Sequence, residues 1–219
     1  MKKDAGSISW QMKEGRFFLF WTHALISLVI CLTACLSHVF KILKLGKPTD
    51  FSEPIGKVAP AVVYSFTGGM SPKKKESAFL HLPTYTAGIL FHLGTFLSAV
   101  LFICYLFNLH FGEVITMILS AFLVVSSLSG IGIFVKRIAK KELRSLSNPD
   151  DYISNLLVTG FQLATLVYLN FQTPVYFLLV SALLLYLPLG KLKHTIYFFA
   201  ARYHLGFFYG RRGVWPPKN

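Results

Sequence analysis

Residues Leu82–Phe107 read LPTYTAGILFHLGTFLSAVLFICYLF. The stretch exceeds the ~20 helical residues that cross the hydrocarbon core of a bilayer. No Asp, Glu, Lys or Arg interrupts it, and a single histidine, His92, stands in its interior. An imidazole in hydrocarbon is costly unless a neighbour or a ligand satisfies it. The same residues therefore pose the question of the fold and that of the function.

The rest of the composition agrees with a chain dissolved in lipid. Of the 219 residues, 54% are hydrophobic and 14% charged, against about 25% charged in an ordinary soluble domain. The mean hydropathy is +0.56. A net charge of +13 would suggest nucleic acid in a soluble protein. Here the basic residues lie between apolar runs, which is a topology signal, and no nucleic acid partner is expected. The first apolar run comes late, is too long for a leader and lacks a small-residue cleavage site, so no cleavable signal is expected. Cys31, Cys35 and Cys104 all lie inside apolar runs. They fit neither a disulfide framework nor the spacing of an iron–sulfur cluster.

Five spans follow from the apolar runs, at about residues 17–40, 82–108, 114–135, 152–169 and 175–194. Residues 41–80 hold Pro48, Pro54, Pro60, Gly68, Gly69, Pro72 and the run Lys73-Lys74-Lys75, which predicts a long loop with a short strand at AVVYSF. Asn148-Pro149-Asp150-Asp151 predicts a helix start, with Asn148 as cap, Pro149 at the first helical position and carboxylates in the first turn. After the fifth span, residues 195–219 form a basic and aromatic tail. The fold class is thus an all-α membrane protein, a five-transmembrane-helix bundle forming a single membrane domain.

The basic residues orient it. Residues 41–80 carry seven Lys, 136–144 five Lys and Arg, and the chain from Lys191 six. The two other connections, near 108–113 and 170–174, carry none, and the N-terminal tail has four. The long loop and the C-terminus are expected in the cytoplasm and the N-terminus outside.

Among the seven histidines, His92 and His194 are paired by depth. At 1.5 Å per residue and ~20 residues per span, the inner boundary of span two falls near Ala87, and His92 lies about 8 Å inside it. By the same ruler the fifth span, beginning near Pro174, reaches its inner boundary around His194. Two imidazoles at comparable depth on facing helices suit a bis-histidine b haem. Gly88 and Gly94 flank His92 and would leave room for a flat macrocycle, and Lys191 and Lys193 would meet its propionates.

The stretch Phe91-His92-Leu93-Gly94, the basic run KRIAKKELRSLSNPDDY, and Pro188-Leu189-Gly190-Lys191-Leu192-Lys193-His194 stand in an order and spacing that resemble the gamma subunit of respiratory nitrate reductase. That superfamily includes the cytochrome b subunits of the sulfite-reduction-associated Dsr complex and of heterodisulfide reductase. The resemblance covers about residues 80–210. It implies His92 and His194 as ligands of the haem nearer the cytoplasm, and a five-span topology with the N-terminus outside. The family's second haem needs a further His on each of these two spans, where this chain has Phe102, with Ile103 beside it, and Tyr176. One haem b is therefore expected, with an outer haem on His23 and His110 as the minor alternative.

The implied function is electron transfer between membrane quinone and a cytoplasmic iron–sulfur partner, of heterodisulfide-reductase or molybdenum-oxidoreductase type, in the cell's inner membrane. Such a chain is an electron-transfer subunit with no substrate chemistry of its own. The competing class is a haem-free membrane anchor or scaffold subunit whose basic face sits on lipid headgroups. A transporter fits less well, since none of the nine acidic residues lies mid-span.

Overall fold

The computed structural model describes residues 4–46, 50–71 and 81–217, with side chains from residue 15 onward. The Lys73–Lys75 run falls outside the described residues. The helices are α1 (Asp4–Lys44), α2 (Val58–Phe66), α3 (Leu82–Leu106), α4 (Glu113–Ala139), α5 (Lys141–Ser145), α6 (Pro149–Phe171), α7 (Val175–Tyr186) and α8 (His194–Arg211). Single 3₁₀ turns occur at Gly68–Met70 and Lys191–Lys193, and no strand occurs among the described residues. Four helices are long and apolar enough to cross a membrane: α1 from Gly15, α3, α4 and α6. The chain is all-α, and a multi-pass membrane protein is what these helices fit.

The fifth predicted span is broken. α7 has 12 residues, about 18 Å at 1.5 Å per residue, short of the ~30 Å core. Pro188 offers no amide to Leu184 and its ring crowds that carbonyl. The chain turns instead on Tyr186, whose carbonyl accepts from the amides of Leu189 (3.0 Å) and Gly190 (2.9 Å). A Cβ on Gly190 would lie 2.4 Å from the Tyr186 ring. A fifth crossing exists only if α7 and the segment Lys191–Arg211 count as one interrupted span. His194 therefore opens a separate helix, and counting residues up one continuous span from Pro174 no longer measures its depth.

By internal packing the chain forms two compact units, Met1–Leu32 with Pro83–Leu192, and Thr33–Leu82 with Lys193–Asn219. The first is built on α3, α4, α6 and α7 with the early part of α1. Its core holds Leu101, Leu123, Tyr176, Phe177 and Val180, with Ala24 from α1. The predicted start of α6 is present as a capping box: the Asp151 amide donates to Asn148 Oδ1 (3.1 Å) and the Asn148 amide to Asp151 Oδ2 (3.0 Å).

In the second unit, AVVYSF is helix, where a strand was expected. Pro60 falls in the first turn of α2, where its missing amide has no intrahelical partner to lose. Ala61 and Ser65, one turn apart, are fully buried. Ala61 meets Gly206 and Gly210 of α8, themselves one turn apart. A Cβ on Gly206 would lie 2.5 Å from Val62 Cα, and one on Gly210 2.6 Å from Ala61 Cβ. Small residues on both helices let the backbones touch, as in small-xxx-small pairs. Ser65 Oγ then donates to the Arg202 carbonyl at 2.8 Å. The C-terminal end, expected as a tail, is thus mostly the helix α8.

The end of α8 also holds the segment before α2. The amides of Ile55 and Gly56 donate to the Arg211 carbonyl, the Arg211 guanidinium donates to the Ser52 carbonyl, and Arg212 grips Asp50 with two nitrogens at 2.8 and 3.2 Å. The Ser52 hydroxyl and amide, then Arg212, hold the Asp50 carboxyl down at about 2. A lowered carboxyl stabilises the fold above its unfolded value, near ~3.9, and that stabilisation is lost as pH falls towards about 2. Hydrogen-exchange protection of the Ile55 and Gly56 amides, corrected for intrinsic rate, is expected to hold from neutral pH down to about 4 and then decline. In Asp50→Asn it is expected to be lower at neutral pH and flat. A parallel decline in both proteins would show that another group titrates.

Candidate functional site

His92 is the eleventh residue of α3 and is exposed on the surface of its unit. Successive helical residues advance about 100°, so Gly88, four positions earlier, shares its face, while Gly94 points about 200° away. The two glycines accordingly do different work. A Cβ on Gly88 would meet nothing within 4 Å, so the face beside His92 is open. A Cβ on Gly94 would lie 1.8 Å from Ser126 Oγ and 2.4 Å from Ser126 Cβ. Gly94 is buried and serves the contact of α3 with α4, so it does not make room beside His92.

Behind His92 lies a closed set of hydrogen bonds. Gln162 on α6, fully buried, donates from Nε2 to the Phe91 carbonyl (2.9 Å) and to Thr95 Oγ1 (2.8 Å). Its Oε1 accepts from Ser126 Oγ at 2.8 Å. Ser126 Oγ is also 3.0 Å from the Leu90 carbonyl, and Thr95 Oγ1 donates to the Phe91 carbonyl at 2.8 Å. The two carbonyls just before His92 are thus held from α4 and α6, which fixes the turn carrying the imidazole. No motif in the sequence singles out Gln162 or Ser126. The signal was a carboxamide and a hydroxyl deep inside apolar runs, where such groups are costly without partners.

Lys191 does not stand ready for a propionate. Its Nζ is 2.5 Å from Asp151 Oδ1, with Arg137 Nη1 3.4 Å from the same oxygen. The carboxylate that caps α6 therefore ties the chain after α7 to the end of α4. Lys193 is exposed and sits at the N-cap of α8. His194 follows as the exposed first residue of that helix, in the second unit.

The positions where a second haem would need histidines are filled by aromatic rings. Tyr176 is 1% exposed and Phe102 4%, with ring centroids 6.5 Å apart. Tyr168 packs on Tyr105 at 4.6 Å and on Tyr176 at 4.7 Å. His110 borders a void of about 40 Å³ beside Tyr105 and Tyr168. His23 Nδ1 is 2.6 Å from the Leu19 carbonyl of its own helix. In the second unit, His38 Nδ1 lies 3.1 Å from the Tyr197 hydroxyl, and His204 is half-buried along α8. Among the described residues no three His, Cys, Asp or Glu side chains gather as a metal site.

Comparisons of this chain with protein-family models, with curated proteins and with solved structures return no match.

Proposed function

We propose that the chain is a haem b-containing membrane subunit of a respiratory oxidoreductase, with His92 and His194 as axial ligands. One observation carries this reading. His92 stands on the outside of its unit, in the middle of an apolar helix, with the open face of Gly88 beside it. An imidazole at that place in an apolar helix is costly in hydrocarbon, and a flat, apolar macrocycle on that face would both ligate and cover it. A b haem supplies one-electron redox chemistry. The chain supplies the imidazoles, and Gln162 and Ser126 hold the turn that carries one of them. The aromatic packing of Phe102, Tyr105, Tyr168 and Tyr176 supports one haem rather than two.

In this reading the chain spans the inner membrane five times, counting α7 with the following segment, with its N-terminus outside. It exchanges electrons between quinone and a cytoplasmic iron–sulfur subunit docked on the basic face. The competing reading, a haem-free scaffold, draws support from Lys191, whose ammonium is engaged by Asp151.

Pyridine haemochrome on the purified protein is expected to give one haem b per chain. Values near zero favour the scaffold, and values near two contradict the aromatic filling. Gly88→Leu separates the readings further. Glycine inside a helix costs about 1 kcal/mol relative to a good helix former, and open space surrounds this one. The variant is expected to unfold no earlier than wild type while losing most of its haem. Unchanged haem content would remove the cofactor from that face.

A further inference from the structure

We infer that the second unit carries a quinone-binding groove between the end of α1 and α8. The inference rests on the electron-carrier reading for its redox partner, and on the geometry of this one unit for its place. The groove has a volume of about 790 Å³, and Val39, Ile42, Leu43 and Phe199 supply much of its wall. That is the size and character of small-molecule sites, which are mostly apolar with a few placed polar groups.

Those polar groups here are Thr195, Tyr203 and His204. Tyr203 and His204 are adjacent, offering a phenol and an imidazole to the carbonyl or hydroxyl oxygens of a quinone or quinol headgroup. Thr195 lies eight residues earlier, about 12 Å along the helix, and the apolar wall between suits an isoprenoid tail.

Charge argues for a neutral occupant over an anionic lipid. Among the described residues no Lys, Arg, Asp or Glu lines the groove. Val39, Ile42 and Leu43 share one face of α1, with Gly46 just past its end, while Lys41 and Lys44 project from the other side of the helix, about 150° from the centre of that face. Arg202 on α8 is likewise turned off the lining face, its guanidinium over the Phe198 ring at 5.6 Å. Among the described residues a phosphate headgroup would find no Lys or Arg facing it there. A neutral quinone needs none.

The test is a titration of the full chain, reconstituted in nanodiscs of zwitterionic lipid, with a fluorescent hydroxyquinoline N-oxide as quinone mimic and a short-tailed menaquinone as competitor. Saturable quenching, displaced by the menaquinone, is expected. Ala200→Trp and Val39→Trp, which fill the groove from opposite walls, are expected to abolish it. Tyr203→Phe and His204→Leu together are expected to weaken it by about tenfold or more, the scale of two lost hydrogen bonds. Wild-type protein without saturable quenching, either Trp variant binding normally, or displacement by phosphatidylglycerol but not by menaquinone would overturn the assignment. Haemochrome on the same samples keeps the two readings apart. Haem without quinone binding sinks the groove alone, and quinone binding without haem sinks the electron carrier and leaves the groove.

Discussion

Alanine at position 92 is expected to remove the b-type α and Soret bands from reduced-minus-oxidised spectra while leaving the helical unit folded. The two halves of this expectation come from different faces of α3. The folded half comes from the buried face. Ser98, Leu101, Phe102 and Tyr105 are all buried, and Gln162 holds the backbone at Phe91, a carbonyl that an alanine one residue later leaves in place. His92 is exposed and takes no part in the Gln162–Ser126–Thr95 set. The spectroscopic half comes from ligation. Removing even an outer-shell partner of a metal ligand costs ~10–100-fold in affinity, and removing the ligand itself is expected to cost no less. His194→Ala is expected to lose the same bands, and added imidazole to restore part of the signal in either variant. A well-folded His92→Ala protein with its full complement of haem would end the ligand assignment. A misfolded one would point to a structural histidine, which the scaffold reading requires.

Valine at Gly94 is expected to have the opposite profile, a large loss of stability with any loss of haem following from it. The first added carbon would fall 1.8 Å from Ser126 Oγ and 3.3 Å from Gln162 Oε1. Both are members of the polar set that joins α3, α4 and α6, so helix separation and broken hydrogen bonds come together. Overpacking of this kind costs typically 1–3 kcal/mol, occasionally more, and each transmembrane hydrogen bond adds ~0.6 kcal/mol on average. A destabilisation of about 3 kcal/mol or more is therefore expected for Gly94→Val, read as a fall in the denaturation midpoint in detergent. Ser126→Gly removes the obstructing side chain, so the double variant is expected to recover part of the loss, and the residues are close enough for the coupling to be measurable. A Gly94→Val protein as stable as wild type would mean that α3 and α4 do not approach as described.

These two variants lie two residues apart on one helix and differ because of an angle of about 200° around it. In the sequence Gly88 and Gly94 simply flank His92, four residues before it and two after. Helical geometry assigns one to the imidazole's face and the other to the opposite face, and the contact with Ser126 shows which is buried.

What the sequence by itself determined is whatever depends on local composition and length. Apolar runs of more than ~20 residues must be helical and lipid-embedded, because no other single segment satisfies its own backbone in hydrocarbon. That settled the all-α character, α3, α4 and α6 to within a few residues, and the helix start at Asn148. What the tertiary structure decided depends on which distant residues meet. α2 is a helix because Ala61 and Val62 find Gly206 and Gly210 about 145 residues away and Ser65 finds the Arg202 carbonyl, a pairing that the Pro and Gly content around it concealed. α7 stops at Tyr186 because Pro188 and Gly190 turn the chain while Lys191 is drawn to Asp151, 40 positions earlier. Gln162 became legible only once its amide was seen between two other helices, since the partners that make a buried carboxamide tolerable cannot be read from its own neighbours in the chain.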